Sequence, residues 1–387
     1  MDRKAFAGLM IIETLLAFAN TFAASFNMIY LFKELELDIW LGPTYLLIGF
    51  GMSAVVCLWM SWKPRLHPGN MAMVGLGSLV IEYVSFIIIK DPLVLSAVVG
   101  VAFGIFYSLF WNSFNIMMAQ MTAKTDRGVT YGAFFFVWPL ATFIAPLLGG
   151  LVIENINYGV LFSIGIVLVV ATAITIFAYR DYVPKNQAMK IRLKAIGRRN
   201  VIAVLGEGGF EGVFWIDVVL VSYMFSTDEV ELGSLFSLFG LSAGIMAIIF
   251  GKISDRIQNR RLFSSVSALA SIPCIVLIYL ADSLEGYGFA NGLLEFASFV
   301  FPVFIFAILT DKMEEAKNDS VLTRELLLDI GRVATISVLM FMLYSGFSPQ
   351  ECFLVAIPFL AIGALAKEEK KIEVAVPVGA GHSDQLH

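Results

Sequence analysis

Tyr158-Gly-Val-Leu-Phe-Ser-Ile-Gly-Ile-Val-Leu-Val-Val-Ala-Thr-Ala-Ile-Thr-Ile-Phe-Ala178 runs for 21 residues without a charge. At about 1.5 Å of rise per residue, a helix of that length crosses the roughly 30 Å hydrocarbon core of a bilayer. A membrane barrel would alternate lipid-facing and lumen-facing residues in segments of about ten, and no such alternation is present. Similar runs lie near 5–31, 40–62, 70–89, 92–120 and 130–153 before it, and near 201–225, 232–250, 262–281, 286–310, 323–345 and 349–366 after it. The whole chain agrees: 59% of its 387 residues are hydrophobic and 15% charged, with mean hydropathy +0.83, whereas a soluble domain carries roughly 25% charge. Lipid offers the backbone no hydrogen bonds, which favours helices in such a solvent. The sequence therefore reads as an all-α integral membrane protein of about twelve spans.

The longest internal polar stretch, 180–200, separates two nearly equal parts. The expected organisation is a six-helix bundle over 1–179, a basic linker over 180–200, a second six-helix bundle over 201–366 and a disordered tail over 367–387. Lysine and arginine are retained on the cytoplasmic side. With the N-terminus inside, 23 of the 26 basic residues fall on that side. Lys33 and Lys90 fall outside, and Arg332 lies within the eleventh span. The outer loops carry Glu34, Glu36, Asp38, Asp228, Glu229 and Glu231 instead. Met1-Asp-Arg-Lys precedes an apolar run with no small-residue cleavage site after it, which reads as a retained first span. The expected location is the plasma or inner membrane, with both termini cytoplasmic.

Two local motifs carry a resemblance. Gly251-Lys-Ile-Ser-Asp255-Arg256-Ile-Gln-Asn-Arg260-Arg261 follows the eighth span. It is similar to the signature loop of the major facilitator superfamily, a Gly followed by Asp-Arg and a basic pair. Gln258 stands where a second Gly is usual, and the corresponding first-half loop, Trp62 to Asn70, has no Asp. Ala145-Pro146-Leu-Leu-Gly149-Gly150 in the fifth span resembles the Gly-Pro-x-x-Gly-Gly segment of that superfamily's drug/proton antiporters, with Ala145 for the first Gly. The arginine those antiporters carry in the fourth span is absent here. The resemblance implies the superfamily fold, a cavity lined by spans 1, 4, 7 and 10, and gating roles for Gly251, Asp255, Arg256, Arg260, Pro146, Gly149 and Gly150. The bland alternatives are orientation charges in the loop and simple close packing in the fifth span.

An ionisable side chain at mid-membrane costs roughly 2.5–3.5 kcal/mol on insertion scales, so each one is a candidate functional residue. The first span places Glu13, Asn20 and Asn27 seven apart on one face, where they either line the cavity or bond to a neighbouring helix. The fourth span offers Tyr107, Trp111, Asn112 and Asn115. The seventh reads Gly206-Glu207-Gly208-Gly209-Phe-Glu211-Gly212-Val-Phe-Trp215-Ile-Asp217. There Glu207, Glu211 and Trp215 share a face and Asp217 is turned away. Its glycines either let the helix unwind or pack it closely. Glu295 lies in the tenth span, ahead of a bend expected at Pro302. Glu325, Asp329 and Arg332 share a face of the eleventh, and Arg332 needs a carboxylate partner: Asp329 locally, or Glu211 or Glu295 across the cavity. Glu82 in the third span reads as structural.

These residues make an acidic, aromatic cavity suited to a cationic or neutral amphipathic solute, with carboxylates able to carry coupling protons. That balance points to proton-coupled export by alternating access, with uptake symport or facilitated diffusion as the alternative. No ATP-binding Gly-x-x-x-x-Gly-Lys-Ser/Thr is present. His67, His382 and His387 fall in a loop or the tail, and Cys57, Cys274 and Cys352 lie in separate apolar runs as packing residues. No enzymatic constellation, metal site, cofactor or nucleic-acid partner is expected, and the chain is expected to be monomeric.

Single cysteines introduced near Lys190 and near Asp228 are expected to react with impermeant reagents from opposite sides of the membrane. Labelling of both on intact cells would overturn this topology.

Overall fold

The computed structural model describes residues 3–121, 127–253, 260–313 and 316–366. Asp255, Arg256 and the tail from 367 lie outside these residues, as does the side chain of Arg260. Among the described residues there is no β-strand, only one antiparallel bridge between Leu66 and Gln187.

The first span is broken into α1 (Arg3–Ala23) and α2 (Asn27–Lys33) by a short tight turn at Ala24–Phe26. Then follow α3 (Thr44–Trp62), α4 (Pro68–Ile88), α5 (Pro92–Met121), α6 (Arg127–Asn155) and α7 (Tyr158–Ala178). The linker contributes the single turn α8 (Leu193–Ile196), and Gly197, at φ 83°, turns the chain into α9 (Arg198–Phe225). Beyond it lie α10 (Glu229–Ile253), α11 (Arg260–Tyr279), α12 (Leu284–Ser298), α13 (Val300–Lys312), α14 (Lys317–Tyr344), α15 (Pro349–Phe353) and α16 (Ala356–Gly363). The tenth span breaks at Phe299, three residues before the proline expected to bend it. Among the described residues, ten helices, counting α1–α2 and α12–α13 once each, are long and apolar enough to cross a membrane. The acidic α9, 28 residues long, and the shorter apolar pair α15–α16 lie where the other two expected spans fall.

The acids expected outside have a local reason to be there. Helices that start on that face expose unpaired backbone N–H groups, which side-chain oxygens satisfy. Asp91 accepts from Leu93 and Val94 at the start of α5, Asn157 from Val160 in α7, and Asp228 from Val230 and Glu231 in α10, all at 2.9–3.0 Å. Ser283 caps α12, and Ser348 with Glu351 forms a capping box on α15.

Lipid is as apolar as leucine, so helices associate in it by close packing at small residues. The α6–α10 crossing works this way. Gly150 lies against the backbone of Glu229, Gly233 against Pro146 and Gly240 against Thr142 and Phe143. Gly149 faces the backbone of Phe22 in α1. The antiporter-like segment is thus a packing surface shared by α1, α6 and α10. The four glycines of α9 resolve the same way. α9 is continuous, with Gly208 and Gly212 against α14 and Gly206 and Gly209 against α16.

A Cβ on Gly240 would stand 2.5 Å from the Thr142 carbonyl carbon and 2.6 Å from the Phe143 nitrogen. Gly240→Ala is therefore expected to destabilise the protein by about 1–3 kcal/mol, visible as a lowered Tm in detergent. Gly51→Ala, with nothing within 4 Å, is the control and should leave Tm unchanged.

Candidate functional site

Arg332, on α14, is 2% exposed. Its Nε donates to Glu211 Oε2 at 2.9 Å, and its Nη2 donates to the same oxygen. Nη1 donates to Asp329 Oδ1 at 2.9 Å, and Nη2 also to the Tyr107 hydroxyl at 3.1 Å. Ser53 Oγ of α3 donates to the other Asp329 oxygen at 2.6 Å. The guanidinium lies 4.8 Å from the Phe50 ring centre, 5.1 Å from Tyr107 and 5.8 Å from Trp215. An aromatic face attracts a desolvated cation, so rings and carboxylates together replace the water that Arg332 gives up. Of the partners open for Arg332, both Asp329 and Glu211 are taken, and Glu295 is not.

A second buried guanidinium corrects the expectation that Arg332 stands alone. Arg324, counted from the sequence as a cytoplasmic loop charge, is buried within α14. It donates to Glu207 and, at 3.1 Å, to Glu325 Oε1, and lies 5.3 Å from the Phe306 ring. The signal was present in the sequence: Arg324, Leu328 and Arg332 step by four along one stripe.

Next to Arg324 is a cavity of about 180 Å³ lined by Glu13, Trp111, Asn115, Trp138, Pro302 and Phe306, among others. One Glu13 carboxylate oxygen is buried in it without a hydrogen-bond partner. Two guanidiniums thus meet Glu207, Glu211, Glu325 and Asp329, with Glu13 beyond them.

Other expected site residues are engaged elsewhere. Asn27 donates to Glu82 Oε1 at 3.0 Å, and Asn20 accepts from the Tyr83 hydroxyl at 3.4 Å. Of the two readings of the first span's polar face, these two amides follow helix–helix bonding, with Glu82 the buried partner of Asn27 and Tyr83 that of Asn20. Asn112 donates to the Ser108 carbonyl at 2.8 Å and lies against Cys57, away from the cavity. Asp217 is fully buried on a different face of α9 from Glu211, and Glu295 lies on α12. Ser53 and Phe50 were missed, because a serine and a phenylalanine in a span carry no signal of their own.

Both faces are bridged. On the acidic face Lys33 Nζ pairs with Glu229 at 2.7 Å, and the Tyr158 hydroxyl donates to Glu229 at 3.1 Å. On the basic face the linker lies between α3 and α14. Lys190 Nζ donates to the Ser61 carbonyl, its backbone N–H to Asp319, and Arg192 pairs with Asp319 at 2.6 Å.

A multi-pass helical membrane protein with a charged, aromatic centre tied across several helices is the architecture of a transporter. A profile of the Major Facilitator Superfamily matches residues 70–323, and the chain belongs to that family. The uncharacterized protein YqgE of Bacillus subtilis (strain 168) is 23% identical over an alignment of 304 residues that covers 73% of this chain and 65% of that protein. The human organic anion transporter MFSD10 (TETRAN) shares the fold with a TM-score of 0.67, over 94% of this chain and 99% of that one at 14% identity. A POT family transporter in complex with a thioalcohol-conjugated peptide aligns with a TM-score of 0.72 over 94% and 95% of the two chains at 11% identity. The same values hold for a POT family transporter in complex with 5-aminolevulinic acid. The chain spans 65% of the length of its Bacillus relative, and its fold is that of the transporters of this superfamily.

Arg332→Met is expected to destabilise the protein by about 3–5 kcal/mol, because it strands buried carboxylates. Arg332→Met with Glu211→Gln should recover part of that loss in Tm. A double variant no more stable than Arg332→Met alone would show that Glu211 does not depend on this pair.

Proposed function

We propose that the protein exports a small cationic or neutral amphipathic organic solute in exchange for protons, by alternating access, as a monomer in the plasma or inner membrane with both termini cytoplasmic. The observation that carries this reading is the charge balance beside the cavity: four carboxylates against two guanidiniums, with Glu13 and the rings of Trp111, Trp138 and Phe306 at its wall. A carboxylate or phosphate solute would need more arginine or lysine than this. In this reading Glu13 and Asn115 meet the solute's polar groups and Trp111 its flat face. Tyr107, Trp215, Glu207, Glu211 and Arg332 form the floor that senses it.

The parts 1–179 and 201–366 act as two moving bodies joined by the linker 180–200. The contacts of α3 with α14 and of α6 with α10 are the ones that rearrange. Pro146, Gly149 and Gly150 serve as a sliding surface in that motion, and Gly251, Asp255, Arg256 and Arg260 act as a cytoplasmic latch. The antiporter-like segment at α6 supports export. The absence of an arginine in the membrane part of α5 favours the second reading, uptake symport or facilitated diffusion.

Ethidium, an aromatic cation, is a suitable probe. Inside-out vesicles with an acidified lumen are expected to accumulate it, and Glu13→Gln should reduce the rate at least tenfold. Accumulation only in right-side-out vesicles would reverse the direction. Preference for an aromatic anion would overturn the substrate class.

A further inference from the structure

α9 carries carboxylates on two faces, and only one face is neutralised. Glu207 and Glu211 meet Arg324 and Arg332 on the side of α14. Asp217 is 0% exposed, and both of its oxygens are buried without a hydrogen-bond partner.

Ring contacts set the register of α9 against α12 and α13. Phe210 packs on Phe301 of α13 with centroids 6.3 Å apart, and Phe225 stacks on Tyr287 of α12 at 5.6 Å. In a helix, Phe210, Asp217 and Phe225 fall on one stripe. Asp217 lies about midway along it, so in this antiparallel pair it stands opposite the middle of the stretch from Tyr287 to Phe301. That part of α12 carries Asn291 and Glu295, one and two turns from Tyr287 on nearly the same face. Tyr287 ties the two helices beside Asp217: its hydroxyl donates to the Val218 carbonyl at 3.0 Å and lies 3.2 Å from Ser222 Oγ. Asn291 is 0% exposed, and neither its amide nitrogen nor its amide oxygen has a partner. Tyr287 of α12 and Cys352 of α15 lie within electrostatic reach of Asp217, and Tyr287 also within reach of Glu295. None of them supplies a positive charge.

Buried polar atoms in native proteins are almost always satisfied, by protein, by water or by a bound ion. Here an orphaned carboxylate and an orphaned amide flank Tyr287, whose hydroxyl bonds the peptide next to Asp217 and which lies one turn from Asn291 on α12. We infer that Asp217 and Asn291, with Glu295 beside them, form a binding site for the coupling cation, a proton or a sodium ion, separate from the solute site at Arg324 and Arg332. A carboxylate already committed to a guanidinium cannot take up a cation without breaking an ion pair. Asp217 binds one with nothing to break. When occupied the site is neutral, and the helices α9 and α12 close on it. When empty it draws water between them. This inference rests on the gradient-driven reading above and places its ion on the face of α9 away from the solute.

The test needs no knowledge of the solute. Purified full-length protein in nanodiscs is examined by infrared spectroscopy across pH, for the carbonyl stretch of a buried protonated carboxylic acid. Its Tm is compared in sodium chloride and in choline chloride. A proton site gives a carboxylic acid band that titrates with pH and is lost in Asp217→Asn. A sodium site gives a higher Tm in sodium than in choline, a shift also lost in Asp217→Asn. Either result supports the inference. A band and a sodium shift both absent from the unmodified protein overturn it, as does persistence of the signal in Asp217→Asn. Asn291→Ala keeps the carboxyl and guards against a variant that fails to fold. It should move the band or halve the sodium shift, and an unchanged response removes Asn291 from the site. Ethidium accumulation in Asp217→Asn vesicles separates the two levels. Gradient-driven transport equal to that of the unmodified protein defeats this site and leaves the export reading standing.

Discussion

A guanidinium that cannot be deprotonated, placed in the middle of an apolar helix, constrains everything around it. Arg332 has five N–H donors and no water to receive them. It uses Nε, Nη1 and Nη2 on Glu211, Asp329 and Tyr107, which lie on α9, α14 and α5. Ser53 extends the set to α3 through Asp329. The position of four helices is thereby specified by one side chain. In lipid, where apolar surface does not drive helices together, such directional bonds decide which helices are neighbours. The aromatic rings of Phe50, Tyr107 and Trp215 then fill the remaining faces of the cation, because a plain alkyl neighbour would leave its charge unanswered.

That network is reachable only because glycines allow the helices to come close. Gly212 lies against the Arg332 backbone, Gly208 against Leu328, and Gly331 against Leu205 and Gly209. A side chain at any of these positions would push α9 from α14 and lengthen the Glu211–Arg332 bonds. Glycine costs helical stability in water, chiefly through backbone entropy. Lipid removes much of that cost, because an unravelled backbone in hydrocarbon would lose its hydrogen bonds. The same residues that read as a weak point in α9 therefore serve as its closest packing surface.

How much of this was legible varies with the physics involved. Span lengths, the basic and acidic faces and the central linker follow from hydropathy and charge, which are properties of single residues summed over windows, and the helices lie where those sums put them. The break at Ala24–Phe26 was not legible, since it holds no proline or glycine, whereas that at Phe299 lies one turn before Pro302, whose ring and missing N–H disrupt the preceding turn. Pairings were legible only when local: Asp329 with Arg332 follows from a separation of three on a helix. Glu211 was one of three open choices, and Ser53 was invisible. Arg324 reads as a loop charge because Lys312 and Lys317 precede it. α14 in fact begins at Lys317, so Arg324 is already two turns into the helix. Asn20 and Asn27 gave the right face, but their partners on α4 depend on how two helices pack, which no single-helix periodicity records.

The placement of these ties shows which of them a transport cycle of the proposed kind has to open. Among the described residues, the bonds between the first and second parts include Ser53 to Asp329, Arg332 to Tyr107, Leu147 to Ser237, Lys33 to the Thr227 carbonyl, Tyr158 to Glu229 and the pair of Lys33 with Glu229. Ser53 to Asp329, Arg332 to Tyr107 and Tyr158 to Glu229 each have one ionised partner, and such a bond contributes about 1.5–3 kcal/mol net, an exposed ion pair about 0–1 kcal/mol. The bonds from Arg332 to Glu211 and Asp329 stay within the second part and carry charge on both partners. In the proposed transport cycle, a solute entering beside Arg324 meets a guanidinium–carboxylate group held within the second part, and the single ties from Ser53, Tyr107, Tyr158 and Lys33 are the ones that have to open. Ion pairs inside the second part hold the site together, and single charge-assisted bonds between the parts hold it shut.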